Sequence, residues 1–333
     1  MNRFGNAFRV EIFGESHGAG AGVIVDGCPP GLEIGPEDLE QDLARRRSGA
    51  AGTTPRREAD LPVFLSGVYQ GRSTGSPICI LFRNEDTRSS DYAAFATVYR
   101  PGHADFTASV RYRGFADPRG SGHFSGRITV GLVAAGAIAK RILGGVIFET
   151  RLLEAGGSAD VAAAVAAASE AGDSVGGLLE LRVRGLPAGL GEPFFDSIEG
   201  LIAHAVFAVP GIRGVEFGDG FAAARMRGSQ HNDSFVERSG RTATNHAGGA
   251  NGGISNGNEL LFRVAVKPTS TIAAPQRSLD FATGEEAELA AGGRHDACIA
   301  IRAAVAVEAA AAIAIADLAL AARGYDTAKR GEP

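Results

Sequence analysis

The spacing of apolar and polar residues along the chain predicts a mixture of strands and helices. Short runs rich in apolar and β-branched residues are typical of strands, and they occupy residues 22–25, 63–68, 77–82, 178–183 and 261–266. Longer segments repeat apolar residues at helical spacing, and they occupy residues Pro36–Arg46, 130–143, 161–171 and 299–322. The first of these helices begins with acidic residues and ends with arginines, an arrangement that suits the helix dipole.

The order of these elements predicts an α+β fold. Strands and helices do not follow the regular βαβ rhythm of a doubly wound sheet, and helices 130–143 and 299–322 are apolar enough to be central. Arg302, Glu308 and Asp317 interrupt the last helix, which favours a buried helix over a membrane span. The most hydrophilic break, at 169–177, lies between elements and does not look like a hinge. We therefore expect residues 1–333 to form a single domain.

Composition narrows the class of protein. The chain has 333 residues, a net charge of −5, 47 glycines, 3 cysteines, and 30 arginines against only three lysines. Few, widely spaced cysteines indicate reduced thiols, and the seven histidines lack the spacing of a metal site. A pI near 5.9 gives no general attraction to nucleic acid. No apolar leader opens the sequence. We expect a cytoplasmic globular protein without a bound metal, a nucleic-acid partner or a membrane partner.

Several glycine-rich segments also carry residues capable of chemistry. Residues 13–20 place His17 between glycines, and residues 99–105 place Arg100, His103 and Asp105 around a Pro-Gly turn. Glycine lets the backbone turn sharply and approach a ligand closely. The first segment is either a tight turn with a surface histidine or a site with a titratable group. The second is either an anion site with an acid–base pair or a well-bonded loop.

Four further segments follow the same pattern. Residues 119–127 precede helix 130–143 and could bind phosphate at its N-terminus, although their glycine spacing matches no nucleotide fingerprint. Residues 245–257 offer side-chain-free backbone to a flat ligand, or form a flexible hairpin. Residues 267–271 are a compact set of phosphate donors. Asp296 either caps the last helix or points at a ligand.

Taken together, these motifs resemble those of the chorismate synthase family. The similarity extends from about residue 4 to residue 318 and is carried in order by residues 14–18, 25–31, 42–47, 84–89, 100–105, 187–191, 214–218, 245–249, 267–270 and 294–298. The resemblance implies a homotetramer whose subunits hold a helical layer between antiparallel sheets, a β-α-β sandwich. It also implies a phosphate lyase of aromatic amino acid biosynthesis. Such an enzyme eliminates phosphate and a ring hydrogen from 5-enolpyruvylshikimate 3-phosphate in an anti-1,4 sense and requires reduced FMN.

The resemblance also implies residue roles. His17 would protonate the departing phosphate, His103 would act on the reduced flavin, and Asp296 would hold the flavin edge. The residues expected to clamp the anionic substrate are Arg45, Arg46, Arg100, Arg127 and Arg294. Those expected to bind FMN are His123, Phe124, Ser125, Pro210, Gly211, Gly252, Lys267, Pro268, Thr269, Ser270, Thr271 and Arg294. Which donor reduces the flavin is left open, with NADPH as one candidate.

The chain departs from the family pattern at three places. Ala50, Ala51 and Gly52 stand where the family usually has another arginine before its Thr-Thr pair, and one residue is missing. His123-Phe124-Ser125 replaces an Arg-Ser-Ser run, and Ile128 replaces a glutamate. Loss of an anion contact costs about 1.5–3 kcal/mol. Two alternatives therefore stay open at this point: a divergent paralogue acting on a related cyclohexene acid, and a non-catalytic flavin- or anion-binding homologue.

Overall fold

Two antiparallel sheets frame the molecule. The computed structural model describes residues 2–49, 52–54, 56–87, 95–290 and 295–328. The first sheet has the strand order β1-β2-β3-β7-β4. Its strands are β1 (Arg3–Phe4), β2 (Arg9–Gly14), β3 (Gly20–Asp26), β4 (Val63–Ser66) and β7 (Ile78–Arg83). The second sheet has the order β10-β13-β9-β8. Its strands are β8 (Ile147–Ala155), β9 (Gly177–Arg184), β10 (Ile212–Phe217) and β13 (Leu260–Val266).

Helices fill the space between the two sheets. The main ones are α1 (Pro36–Arg46), α3 (Thr129–Leu143), α5 (Ile198–Phe207) and α7 (Ala300–Ala328). Helix α3 packs on β2, β3 and β7, whereas α7 packs on β8 and β9 and also contacts α1, α3 and α5. Buried side chains from both sheets and these helices form one continuous hydrophobic core. The α+β sandwich expected from the resemblance is therefore confirmed.

Short elements decorate this frame. They are the strand pairs β5 (Val68–Tyr69) with β6 (Arg72–Ser73), β11 (Ala250–Asn251) with β12 (Ile254–Ser255), and β14 (Gln276–Leu279) with β15 (Glu286–Leu289), and the helices α2 (Asp105–Arg111), α4 (Val161–Glu170) and α6 (Gly228–His231). Short 3₁₀ turns span Arg119–Phe124 and Gly126–Ile128 immediately before α3. This glycine-rich approach to α3 forms one wall of the cavity described below.

The predicted helices are all present, although α7 continues to Ala328 beyond the predicted end at 322, and the predicted strands match with one correction. The helix predicted at Pro36–Arg46 has those bounds, and the one predicted at 130–143 begins one residue earlier. The single strand predicted at 63–68 is wrong in extent. It ends at Ser66 because Gly67 adopts φ +81°, a left-handed conformation that breaks the strand before β5 begins.

Helix α7 is the buried centre of the fold. By length and composition its residues 300–323 could cross a membrane, with a mean hydropathy of 2.0, but 83% of the most apolar window is buried inside the protein. Its alanines allow a very close approach to α3. A Cβ placed on Gly136 of α3 would lie 2.3 Å from the Cβ of Ala309, so only glycine fits at that crossing. The burial agrees with a core helix.

A buried carboxylate near the C-terminal end of α7 binds the backbone of the N-terminal segment. Asp317 on α7 is 3% exposed. Its Oδ1 accepts backbone N–H groups from Asn6, Ala7 and Phe8 at 2.9, 2.6 and 2.8 Å. Three such hydrogen bonds satisfy a buried carboxylate without a cation. The N-terminal segment is thus held across the core, beside the strand pair β1–β2.

Candidate active site

A cavity of about 830 Å³ opens where the loops meet the first turns of α7. It is walled by the 3₁₀ turns before α3, the turn between α5 and β10, and the loop after β13. This cavity brings together most of the residues predicted to form the site. Those that line it are Arg46, Arg100, His103, His123, Phe124, Ser125, Pro210, Gly211, Lys267, Pro268, Thr269, Ser270, Thr271 and Asp296.

The loop before α2 packs a cation, an imidazole and a carboxylate together. Arg100 is buried and donates from Nε and Nη2 to the two oxygens of Asp105 at 2.8 and 2.7 Å. His103 Nδ1 lies 2.6 Å from Asp105 Oδ1. Burial alone would raise the pKa of Asp105, but the hydrogen bonds from Arg100 and His103 outweigh it and hold that pKa well below its usual range.

The tautomer of His103 follows from this arrangement. An ionised carboxylate only accepts hydrogen bonds, so Nδ1 of His103 carries the proton that Asp105 receives. Arg100 Nη2 lies 3.0 Å from the same Nδ1, but two donors facing each other do not form a hydrogen bond. Nε2 is therefore the atom of His103 that can exchange a proton with a ligand.

Residues Lys267–Thr271 tie three loops together. Lys267 Nζ donates to Gly102 O at 2.5 Å and to Ser270 Oγ at 2.6 Å. Thr269 Oγ1 donates to the main-chain oxygen of Asp296 at 2.7 Å. Burial lowers the pKa of Lys267, and the nearby charge of Arg213 lowers it further. The hydroxyls predicted to donate to phosphate thus hold the loop before α2 and the Asp296 loop in place.

Two histidines flank the left-handed turn before α3. His17 is 9% exposed, and a Cβ on Gly120 would lie 2.4 Å from its Cδ2. Gly120 has φ +59° and lines the cavity, so the His17 ring packs directly behind the lining. His123 lines the cavity itself, with Nδ1 2.8 Å from Gly14 O. Phe124, also at the wall, meets the ring of Tyr112 edge-on at 6.1 Å.

A buried carboxylate links two of the predicted arginines. Asp60 binds both Arg46 and Arg127, and none of the three side chains is more than 3% exposed. Burial alone would raise the pKa of Asp60, but the two guanidiniums lower it. Arg127 also donates to Asn84 Oδ1 at 3.0 Å and does not line the cavity. Two cations on one anion leave a net positive charge behind the cavity wall.

Arg46 is the member of this group that reaches the cavity. Its Nε and Nη1 are buried and have no hydrogen-bond partner among the described residues. Burial lowers its pKa, opposed by the charge of Asp60, yet a guanidinium stays protonated at neutral pH. Buried N–H groups of a charged side chain are costly when they are left unbonded. These two donor atoms of Arg46 therefore favour binding of an anionic ligand at this part of the cavity.

Among the described residues, Arg45 and Gly252 were predicted to belong to the site but lie away from the cavity lining. Arg45 donates to both oxygens of Glu308 at 2.8 Å, in a cluster with Asp42 and Lys140, and it does not line the cavity. Gly252 occupies the turn between β11 and β12, also outside the cavity lining. Arg294 lies outside the described residues.

Asp296 is held by partners that the sequence motifs did not include. Its Oδ1 accepts the backbone N–H of Thr54 at 2.9 Å, and Arg302 Nη1 lies 3.2 Å from Oδ2. The N-cap alternative does not describe this carboxylate, since α7 begins at Ala300 and Asp296 bonds to Thr54 and Arg302. Sequence patterns could have indicated Arg302 and Asp60 only through their charge, since Arg302 interrupts an apolar helix and Asp60 lies in a loop with no oppositely charged residue directly beside it in sequence.

The departures from the family pattern fall at this site. Gly52 O accepts the N–H of Ala297 at 2.8 Å, so the segment around the missing arginine contacts the loop that carries Asp296. Ala50 and Ala51 lie outside the described residues. Ile128 is buried in the core, where a glutamate would need a partner. Both His123 and Ile128 line the cavity, so each substitution changes a cavity contact, and the one at Ile128 also changes the packing of the core.

Comparison with known proteins identifies the relatives of this chain. The family model described as chorismate synthase matches residues 8–153 and 146–320. A chorismate synthase from Chitinophaga pinensis is 57% identical over 96% of this chain and 97% of that protein. Those from Opitutus terrae and Synechocystis are 45% and 44% identical over 95% of this chain and 96% of each relative. A crystal structure of chorismate synthase superposes with a TM-score of 0.72 at 25% identity, covering 98% of this chain and 99% of that one.

Proposed function

The chain belongs to the chorismate synthase family, whose members are phosphate lyases, and on that premise we propose that it converts 5-enolpyruvylshikimate 3-phosphate to chorismate with reduced FMN. The observation that carries this proposal is Arg46, a buried cation on the wall of a large cavity with two donor atoms that have no partner in the part of the chain that the structure describes. A substrate with one phosphate and two carboxylates supplies the acceptors that these donors lack.

The high identity to chorismate synthases favours this function over the two alternatives left open by the sequence. A divergent paralogue or a non-catalytic homologue was suggested by the changes at residues 50–52 and 123–124. The 57% identical relative is itself a chorismate synthase, and His17, His103 and Asp296 are all in or directly behind the cavity wall. We therefore do not propose either alternative.

The residues around the cavity fit FMN. Lys267 and Arg213 supply positive charge, His123 can present Nε2 to a phosphate, and Pro210-Gly211 offer backbone to a flat ring. We propose that these residues, with Phe124, Ser125 and the segment 268–271, hold the cofactor. When bound, reduced FMN supplies electron density transiently and takes up the ring hydrogen. Arg294 and Gly252 are also proposed to contact it, by resemblance alone.

The proposed work of the side chains is binding and proton handling. Arg46 and Arg100 bind the anionic groups of the substrate, while Arg127 and Asp60 hold Arg46 in position. By resemblance we also assign Arg45 to substrate binding, although its guanidinium is engaged by Glu308. His17 donates a proton to the departing phosphate, and His103 exchanges a proton at Nε2 while Asp105 fixes its tautomer. Asp296 orients the reacting edge of the cofactor.

Assembly and location are proposals of the same kind. We propose that the chain is a single domain, works in the cytoplasm as a homotetramer, and receives flavin reduced at the expense of NADPH. The continuous core supports the single domain. Phe194, Phe195 and Phe221 support the assembly, because each is at least 80% exposed and large apolar side chains at a surface mark interaction sites.

An anaerobic assay tests the proposed function. Purified protein with reduced FMN and 5-enolpyruvylshikimate 3-phosphate should release phosphate and form chorismate, identified by mass. Arg46→Lys, which keeps the charge, should raise KM, and Arg46→Gln should raise it further. Arg47→Gln is the matched control, because Arg47 pairs with Glu40 at the surface and does not line the cavity. Absence of chorismate from the wild-type protein under these conditions would refute the proposal.

A further inference from the structure

Arg302 joins three parts of the cavity wall. It lies in the first turn of α7, where its Nη1 is 3.2 Å and 3.4 Å from the two carboxylate oxygens of Asp296. Its Nε donates to the main-chain oxygen of Arg46 at 2.9 Å. Its side chain is 22% exposed, so the pair with Asp296 is largely shielded from water. Both partners line the cavity, as Arg302 itself does.

Besides Arg302, a backbone group of a neighbouring loop contacts the carboxylate of Asp296. The residue precedes α7 in a loop, and its Oδ1 accepts the backbone N–H of Thr54 at 2.9 Å. A hydrogen bond to one oxygen does not by itself fix the rotation of a carboxylate about that contact. The Nη1 atom of Arg302 approaches both oxygens from the first turn of α7 and so restricts this rotation. It also supplies the positive charge that pairs with Asp296.

We infer that Arg302 is a positioning residue that acts through Asp296, setting the direction in which that carboxylate faces the ligand. The identity of the ligand in this inference rests on the proposed function, whereas the contact between Arg302 and Asp296 does not depend on it. A competing role is purely structural. In that case the Nε contact with Arg46 O, which joins α1 to α7, would be the whole contribution of Arg302 to the protein.

A double-mutant cycle separates the two roles. Arg302→Gln should lower kcat about tenfold or more with KM nearly unchanged, because a misdirected group near the reacting atoms costs rate rather than substrate affinity. In the Asp296→Asn background the same change should cost about twofold at most, since the two residues act as a unit. Arg302→Lys, which keeps a cation for Asp296, should recover part of the kcat. Arg182→Gln is the control, an arginine ion-paired to Glu180 and Glu259 outside the cavity lining.

The four proteins of the cycle are the wild type, Arg302→Gln, Asp296→Asn and the double variant. Each is titrated with FMN, with quenching of flavin fluorescence as the signal, and its thermal unfolding midpoint is measured. Arg302→Gln and Asp296→Asn should weaken FMN binding non-additively, with little further loss in the double variant. Full additivity in both kcat and FMN affinity, or losses that track the thermal midpoint alone, would overturn the positioning role. If the wild-type protein forms no chorismate, the proposed function fails, while the FMN cycle still decides the role of Arg302.

Discussion

The Nδ1 atom of His123 lies 2.8 Å from the carbonyl oxygen of Gly14. A carbonyl only accepts, so this nitrogen carries a proton and donates it, and Nε2 is the ring atom available to a ligand in the cavity. The resemblance implies that His123 takes the place of an arginine of the family. The contact with Gly14 anchors the ring to the end of β2, and so gives the substitute a fixed orientation that a free surface histidine would lack.

Restoring the arginine should strengthen anion binding. We expect His123→Arg to lower the FMN dissociation constant at pH 8 by about threefold to tenfold, because arginine stays charged there and a charge-assisted hydrogen bond contributes about 1.5–3 kcal/mol, reduced by loss of the Gly14 contact. Fluorescence titration measures the constant. His231→Arg, outside the cavity lining, is the control and should leave it unchanged. Unchanged affinity in His123→Arg would show that residue 123 does not meet the phosphate.

The two proposed acid–base histidines should affect turnover more than binding. His17→Ala and His103→Ala should each lower kcat by about tenfold to ten-thousandfold, the range for general acid–base groups, while changing FMN affinity little. His204→Ala is a matched control, because His204 lines the same cavity but stacks edge-on against Phe4. Steady-state kinetics under anaerobic conditions give kcat. A histidine variant that turns over as fast as wild type has no acid–base role.

We expect Gly120 to be required for the position of the His17 ring as well as for the backbone turn before α3. Gly120→Ala would place a methyl group 2.4 Å from His17 Cδ2 at a residue with φ +59°. Gly145→Ala is a control of similar backbone strain, with φ +81° and no atom within 4 Å of the added Cβ. Each variant should lose about 1–2 kcal/mol of unfolding free energy from the left-handed backbone, yet only Gly120→Ala should lower kcat. Equal kcat values in the two variants would argue against the packing of His17 on Gly120.

Glu308 should make stability depend on pH. Burial alone would raise its pKa, but Arg45, Lys140 and Thr150 outweigh it and lower the pKa from 4.5 to about 2. A depressed pKa stabilises the fold above the unfolded value, and this contribution is lost between pH 4.5 and about 2 as the carboxylate protonates. Glu308→Gln should therefore cost on the order of 3 kcal/mol at pH 7 and visibly less at pH 3.5.

Urea denaturation at both pH values measures this difference. Glu237→Gln is the control, because Glu237 forms an exposed pair with Arg241 and such surface pairs contribute little to stability. A Glu308→Gln deficit that is the same at pH 7 and pH 3.5 would show that the lost ion pairs are not its cause.

Local patterns in the sequence predicted the framework and many of the cavity residues. The long helices were predictable because apolar spacing and terminal charges are local properties, and α1 shows both. Strands such as β1, with two residues, carry no periodic signal and are fixed only by pairing with β2. The motifs located His103 and Asp296 at the cavity but not their orientation, since partners such as Thr54 and Arg302 are set by the fold.

Arg45 and Arg46 show most clearly what sequence motifs cannot predict about a binding site. They are adjacent in one helix, and the sequence predicted one role for both. The helical turn of about 100° per residue sends Arg45 toward Glu308, 263 residues away, and Arg46 toward Asp60 and the cavity. Only the tertiary arrangement of α1 against α7 decides which of the two can meet a ligand.

The hold that Asp317 exerts on residues 6–8 also constrains how the protein is made. A ribosome delivers the first strands long before it delivers residue 317, so the opening segment must wait for its acceptor while almost the whole chain is synthesised. Contacts this distant in sequence also slow folding. The N-terminal segment is thus expected to stay unanchored until residue 317 has emerged from the ribosome, and a truncation before Asp317 should leave it unanchored.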